Sequence, residues 1–252
     1  RPSWWPCWLR WVDELPGAID TAAPAKEGKG VTKTRIPAGE RRALIVAAAR
    51  RVFSRHGYDG AKTLQIAREA GVSEALVYRH FPSKLALFRA VWRQVFAEQD
   101  QRWHEQGIHD DSTTGLAKAI YRFIRNCLDA AHNQDRLDGH RMTLASLAGD
   151  GSYASLIYRR SQRRNRLALE KAFDAARAAG DLEGGPVSTM SAAMFVEHVG
   201  TMMAAIGSLP PGRQPYGATG DSLAREAAWF CLRGIGMRDE AIRTALGDVE
   251  AE

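Results

Sequence analysis

The sequence of 252 residues has little cysteine and no long hydrophobic run. Its three cysteines, Cys7, Cys127 and Cys231, stand far apart and form no CxxC pair, which excludes a disulfide scaffold and leaves no zinc-binding signature. The longest purely apolar run, from Ala43 to Ala49, is much shorter than the roughly 18 residues that a membrane-spanning helix requires. We therefore expect a protein of the reducing cytoplasm without a transmembrane segment.

Motifs of catalysis are also lacking. The chain has no nucleophile elbow, no paired catalytic carboxylates, no P-loop and no dinucleotide-binding fingerprint. The Gly149-Asp-Gly151 sequence lies between two predicted helices without a preceding strand, so it does not form a phosphate loop. The histidines show no HExxH spacing. We predict that the protein is not an enzyme and that it requires no cofactor and no metal ion.

Positive charge is concentrated in one segment of the chain. The net charge is +6, and residues 40–93 hold 11 Lys and Arg against 4 Asp and Glu, whereas the residues after 93 are mildly acidic. This asymmetry is typical of a nucleic-acid-binding domain attached to another domain. The alternative is a solvated basic face without a partner.

Residues 1–39 differ in composition from the rest. They begin with four tryptophans between prolines and continue with a stretch rich in Gly, Lys and Ala. Prolines interrupt any amphipathic helix, so we predict a disordered extension. The alternative is an aromatic, basic segment that lies at a membrane surface.

From residue 40 onward, apolar residues recur at helical spacing and no strand-like alternation is present. The first helix has one apolar stripe between Ile45 and Phe53, and Gly57 ends it. Two short helices follow, and after Pro82 a long fourth helix has Ser83 as its N-cap. The predicted fold is all-α, with helices after the first at about 62–70, 73–80, 83–106, 113–132, 137–148, 153–179, 189–208, 221–236 and 239–246.

Residues 63–80 have the spacing of a helix-turn-helix. Ala67 is small enough to let the second and third helices approach, and Gly71 supplies the positive φ of the turn between them. Val77 fills the angle between the two helices, and Ser73 caps the third. In such a motif the amino-terminal end of the third helix enters the major groove of DNA.

The residues around this motif carry a resemblance to a known family. The block from Ile45 to Val91 contains AARRVFSRHGY, IAREAGVS and LVYRHFPSKLALF, and it resembles the DNA-binding domain of the tetracycline-repressor (TetR/AcrR) family without a gap. Members of that family are homodimeric transcriptional regulators whose variable helical body binds a small-molecule inducer. The resemblance implies an amino-terminal three-helix head on a body that binds ligand and forms the dimer.

The resemblance assigns contacts with the DNA backbone to several positions. Tyr78 and His80 match positions whose side chains meet the backbone, and Lys84 matches a lysine that reaches a phosphate. Ser73 matches a capping hydroxyl that also contacts the backbone. The family usually has a Thr-Thr or Thr-Ser pair before the second helix, and Lys62 stands there instead, where its charge can replace the hydroxyl contact.

Base-reading positions follow from the same resemblance. They form the exposed amino-terminal face of the third helix and comprise Glu74, Ala75 and Leu76, with Arg79 beside them. Gln65 on the second helix is a further candidate for a base or phosphate contact. Backbone contacts position the protein, and groove-facing side chains specify sequence. The expected partner is double-stranded DNA with a palindromic operator.

Two helices near the carboxyl end have more apolar positions than one core-facing stripe requires. They run from Thr189 to Ser208 and from Asp221 to Gly236. A helix that is apolar on a second face must bury it, so we predict a homodimer through a four-helix contact of these two helices. Two-fold symmetry then sets the two third helices about 34–36 Å apart, or further by whole turns of DNA. A thicker monomer core is the alternative.

The resemblance places an inducer site inside the body, and the sequence permits an apolar cavity there. The candidate lining residues are Trp92, Phe96, Trp103, Phe123, Cys127, Met142 and Tyr158.

The sequence predicts three regions, with an extension at 1–39, a helix-turn-helix domain at 40–93 and a ligand-binding and dimerisation domain at 94–252. The predicted function is a dimeric, sequence-specific transcriptional regulator, a repressor that a small apolar or aromatic ligand releases from its operator. The alternative is a helical enzyme or a ligand-sequestering protein whose basic head is incidental. The identity of the ligand and the operator sequence are open at this point.

Overall fold

The computed structural model describes residues 37–247 except Gly107, His109 and Pro186, together with the backbone but not the side chains of Trp103, Gln106 and Pro211. The predicted extension therefore lies almost wholly outside the described residues. The described part contains ten α-helices: α1 Ala38–Gly60, α2 Thr63–Glu69, α3 Glu74–His80, α4 Lys84–Gln106, α5 Thr113–Ala130, α6 Gln134–Leu147, α7 Ser152–Ala178, α8 Thr189–Gly207, α9 Gly220–Gly234 and α10 Asp239–Gly247.

Helix ends coincide with the residues that favour them. The Ser83 hydroxyl accepts a hydrogen bond from the Ala86 N–H at 3.0 Å and caps α4, and the Ser188 hydroxyl caps α8 in the same way at 3.1 Å. Gly57 has a φ of +64° and interrupts α1 before its last residues. Within the described residues the extended pairing is a single bridge between Leu182 and Met237. The prediction of an all-α fold is confirmed.

Two hydrophobic cores lie along the molecule, and α7 contributes to both. The first core, called the head core below, packs α1, α2, α3 and α4 together. It also includes Met142 of α6 with Tyr153 and Ile157 of α7. The second core, called the body core below, is built around α5 and includes Ala172 and Phe173 from the other half of α7. Helices α6 and α7 therefore extend the core of the head beyond residue 93, and the domain boundary at 93/94 stays a prediction.

Buried polar contacts join α1 to α4 and α6. Arg50 of α1 is 2% exposed, and its Nη1 donates to both carboxylate oxygens of Glu98 on α4 at 2.8 and 2.9 Å. Its Nη2 donates to the backbone carbonyl of Asp135 on α6. One turn along α1, the Ser54 hydroxyl donates to the fully buried Asp138 carboxylate at 2.8 Å. The three helices are therefore fixed to one another by specific partners as well as by apolar contact.

Among the described helices, none combines the length and apolar character needed to cross a membrane.

Removing the carboxylate that faces Arg50 tests the importance of this junction. We expect Glu98→Ala to lower the free energy of unfolding by about 3 kcal/mol, because it leaves a buried cation with one fewer partner. Combining it with Arg50→Met should restore most of the loss. Denaturant unfolding at constant protein concentration measures both changes.

The matched control is Glu69→Ala. Glu69 pairs with Arg51 at 2.7 Å in a more exposed setting, so its removal should cost no more than about 1 kcal/mol. Equal losses for the two single variants would contradict the assignment.

Candidate functional site

Helices α2 and α3 pack against each other through the residues that the helix-turn-helix spacing predicts. Ile66 and Ala67 of α2 and Val77 of α3 are buried against one another and against the rest of the head core. Gly71 has a φ of +65°, a conformation that only glycine adopts without strain. The Val72 N–H then donates to the Ala67 carbonyl at 3.0 Å and closes the turn. The side chains predicted to form the interhelical contact do form it.

The amino-terminal end of α3 presents side chains away from this core. The Ser73 hydroxyl accepts from the Leu76 N–H at 3.2 Å and caps the helix. Ala75, Tyr78 and Arg79 are exposed, and Leu76 is half-buried. An α-helix that is exposed at this end has the size and shape that fit a major groove.

A hydroxyl on α2 connects two of the predicted contact residues. Thr63 donates to the Glu74 carboxylate at 2.5 Å, and its oxygen lies 3.1 Å from the Tyr78 hydroxyl. The Gln65 side-chain oxygen accepts from the Lys62 N–H at 2.9 Å, so this amide caps α2. Thr63 was missed by the sequence reasoning, because its partners lie 11 and 15 residues away on another helix and no local spacing points to them.

Lys84 at the start of α4 holds the loop between α1 and α2. Its Nζ donates to the backbone carbonyl of Ala61 at 3.1 Å and lies 3.4 Å from that of Asp59. The same ammonium lies 4.5 Å from the centre of the Tyr58 ring. An ammonium has three N–H donors, so one is left for a phosphate after both carbonyls are satisfied.

His80 at the end of α3 is half-buried. The next residue, Phe81, is buried in the head core, and the Arg42 guanidinium of α1 covers its ring at 4.8 Å. The end of α3 is therefore anchored, and its amino-terminal half remains accessible.

A cavity of about 240 Å³ lies in the body. Residues of α5, α7 and α8 supply its apolar wall, including Phe123, Leu169 and Phe173. Gly200 of α8 faces Phe123 directly: a Cβ there would lie 2.6 Å from a carbon of that ring and 2.9 Å from Cys127 Sγ. Close approach of α8 to α5 at this wall therefore depends on glycine.

Charged and polar side chains also face this cavity. They include Arg102 on α4, Arg136 and His140 on α6, and Glu197 on α8. Burial, with a smaller contribution from the two arginine charges, lowers the pKa of His140 to about 4. Burial raises the pKa of Glu197, which accepts a hydrogen bond from the Ser161 hydroxyl at 2.6 Å. The imidazole is therefore neutral at pH 7.

The cavity shares residues with the junction between head and body. Arg50 of α1, Val95 of α4 and Gly139 of α6 line it, and the first two of these helices belong to the head core. Any molecule that fills the cavity therefore touches the helices that carry the helix-turn-helix.

Comparison with known proteins shows which family this chain is related to. Residues 45–91 match the family of bacterial regulatory proteins of the tetR type. The HTH-type transcriptional regulator TtgW of Pseudomonas putida is 34% identical over 101 residues, which are 40% of this chain and 70% of that protein. The chain belongs to the TetR family. The HTH-type transcriptional activator FasR of Mycolicibacterium smegmatis is 47% identical over 57 residues, but these are only 23% of this chain and 26% of FasR.

Likeness to other TetR-family members extends to the body in fold. A crystal structure of a bacterial regulatory protein of the tetR family from Rhodococcus RHA1 superposes with a TM-score of 0.60, covering 79% of this chain and 99% of that one, at 19% identity. The family prediction is confirmed, and the alternative of a helical enzyme or sequestering protein is not favoured. Among the described residues, no group of three or more His, Cys, Asp or Glu side chains is arranged to hold a metal ion.

The structure describes the side chains of six of the seven candidate ligand residues, and these six do not all lie at one site. Phe123 and Cys127 line the cavity. Met142 and Trp92 instead lie in the head core, where the Trp92 ring packs 5.3 Å from that of Tyr153. The role proposed for these two as ligand contacts stays a prediction.

Phe96 and Tyr158 are also not among the described residues that line the cavity. Phe96 lies under the Arg160 guanidinium at 4.9 Å. Tyr158 packs edge-on against His198 at 5.2 Å. The Trp103 side chain lies outside the described residues. Both Phe96 and Tyr158 pack against the head core, as Trp92 does.

The lowered pKa of His140 predicts an acid-dependent loss of stability. Its pKa in the folded state lies below the unfolded value, so between pH 6.5 and 4 the unfolded chain binds the proton more strongly and stability falls as pH falls. We expect His140→Gln to remove up to about 3 kcal/mol of this loss. Unfolding curves from pH 7 to 4 measure it, with exposed His132→Gln as the control for loss of an imidazole. An unchanged acid dependence in His140→Gln would contradict the prediction.

Proposed function

We propose that this TetR-family chain is a sequence-specific DNA-binding repressor that acts as a homodimer and is released from a palindromic operator by a small ligand. The observation that supports this most directly is the shared wall of the cavity. Residues of α1 and α4 line the cavity and belong to the same core as α2 and α3. A bound ligand and a bound operator are therefore expected to compete through the position of the head.

DNA contacts are proposed for the outer face of α3 at one end of the head surface, and for the lysines at the starts of α2 and α4 at the other end. At one end Ala75, Leu76 and Arg79 approach base edges, supported by their position on the outer face of α3. At the other end Lys84 and Lys62 approach phosphates, since Lys84 has an N–H left and Lys62 is exposed at the start of α2. Glu74 and Tyr78 act with Thr63 as one hydrogen-bonded group, so we expect them to position α3 as well as to meet DNA.

Release requires that ligand and DNA favour different states of the dimer. A ligand with equal affinity for both states shifts nothing. In the proposed mechanism the ligand-bound cavity holds α1, α4 and α6 in an arrangement that places the two heads at the wrong spacing for successive major grooves. The relevant two-state element is α4, which leads directly from the cavity wall to the end of the helix-turn-helix.

The dimer is proposed to form through α8 and α9. Phe195 and Met202 on α8 are exposed, as is Phe230 on α9, with 60% of Phe195 and 70% of Phe230 accessible. On other faces of the two helices, Val196 and Leu232 are buried in the body core. Large apolar side chains exposed on adjacent helices favour burial against a second copy with two-fold symmetry.

Loss of the Lys84 charge tests the phosphate contact. We expect Lys84→Met to weaken binding to all DNA sequences and to lower the slope of log K against log salt by about one, because one phosphate contact releases about one counterion. Fluorescence anisotropy with operator DNA, identified by selection from the flanking genomic sequence, measures both effects. Lys171→Met removes an exposed charge from α7 and serves as the control. An unchanged slope would exclude the contact.

Substitution of Ala75 by Ser should behave in the opposite way. It should alter which operator variant is preferred by about 1–3 kcal/mol per changed base contact while the salt slope stays constant.

A charge at the exposed apolar surface tests the dimer. We expect Phe230→Glu or Phe195→Glu to sediment as a monomer, because an ionised side chain is not buried without a partner. The control is Leu64→Glu, which makes the same change at an exposed leucine of the head. If the variants at both α8 and α9 stay dimeric, the dimer forms through another surface and this proposal is wrong.

A further inference from the structure

Arg102 and Arg136 both line the cavity, and neither forms an ion pair with a carboxylate of the described residues. Arg102 has no hydrogen bond or ion pair to any described residue, and Arg136 donates from its guanidinium only to the Asn126 backbone carbonyl at 2.6 Å. Glu98 is four residues before Arg102 on α4, but both of its oxygens accept from Arg50. The Glu98 charge acts on Arg102 and Glu197 lines the same cavity, but within the described residues neither carboxylate accepts a hydrogen bond from Arg102 or Arg136.

Holding the Arg102 and Arg136 charges near each other costs free energy. Burial, followed by the charge of Arg136, lowers the pKa of Arg102. Two guanidiniums held together in a partly buried place are unfavourable unless an anion compensates them. Guanidiniums in such pairs match the geometry of a carboxylate, which accepts two parallel hydrogen bonds from each planar fork.

The rest of the cavity limits what else the anion carries. Phe123, Leu169 and Phe173 form an apolar wall, and a volume of about 240 Å³ corresponds to roughly eight water molecules. Burial raises the pKa of the Cys127 thiol to about 12, with a smaller contribution from the charge of Glu197, which lines the same cavity as Arg102 and Arg136. A second negative charge on the ligand would therefore lie in the apolar part or near Glu197.

We propose that the cavity binds a small monoanionic amphipathic molecule, a carboxylate on a short aliphatic or single-ring body, with its anionic group between Arg102 and Arg136 and its apolar part against Phe123. This inference rests on the proposed function, which assigns the cavity to a ligand. It narrows that ligand from any apolar compound to one acidic class.

Calorimetric titration of the full chain tests the ligand class. The probes are the straight-chain monocarboxylates from hexanoate to dodecanoate and phenylacetate, each compared with its alcohol, and octanoate compared also with its dicarboxylate. We expect at least one monocarboxylate to bind about 10- to 100-fold more tightly than the matched alcohol, since hydrogen bonds to charged groups contribute that much. The dicarboxylate should bind more weakly than octanoate.

Charge removal in the cavity provides the second measurement. Arg102→Gln and Arg136→Gln should each reduce the preference for acid over alcohol about tenfold or more, while alcohol binding changes little. Arg102→Gln should also raise the melting temperature of the ligand-free protein, because it relieves repulsion; a residue with only a structural role would lower it. Arg166→Gln, on the exposed side of α7, is the control.

The outcomes separate this inference from the proposed function. If no acid binds better than its alcohol, or if the preference survives both arginine substitutions, the inference is overturned. If the acid binds through Arg102 and Arg136 but leaves operator affinity unchanged, the inference stands and the release mechanism fails. If a neutral compound alone releases the operator, the release mechanism stands and the inference fails.

Discussion

The buried guanidinium of Arg50 fixes the arrangement on which the rest of the structure depends. A cation in an apolar interior is tolerated only when partners surround it, and here the partners come from α4 and α6. The three helices must therefore keep their mutual positions or leave the charge unsatisfied. Because Arg50 also lines the cavity, the same residue takes part in the junction of α1, α4 and α6 and in the cavity wall.

Most of the fold could be predicted because its signals are local. Serine hydroxyls at N-caps, glycines with positive φ and apolar stripes each act within a few residues, and the helices begin and end close to the predicted positions. The helix-turn-helix contact of Ala67 with Val77 depends on spacing alone, and it is formed. The pairs of Arg50 with Glu98 and of Thr63 with Tyr78 join distant positions, and no periodicity of the sequence indicates them.

The lining of the cavity is the part of the candidate site that could not be predicted from the sequence. The sequence shows that a residue is apolar, but it does not show which of the two cores the residue enters. The sequence therefore predicts aromatic residues of α4 and α7 at the ligand although they pack against the head core. The structure directs Trp92 to the head and Phe123 to the cavity. The polar lining was not anticipated either: an arginine on a helix ordinarily faces water, and only the packing of α4 against α6 brings Arg102 and Arg136 to one place.

At Gly200 the main chain of α8 rests directly on the Phe123 ring. A longer residue there would absorb a small displacement of the ring by changing its own rotamer, and glycine has no such freedom. Movement of the ring is therefore passed to the backbone of the helix, whose outer side carries Phe195 and Met202. Residues of α8 also line the cavity, so the width of this one helix separates the cavity from the outer side. A displacement of Phe123 in the cavity wall therefore acts over a short distance on the exposed face of α8.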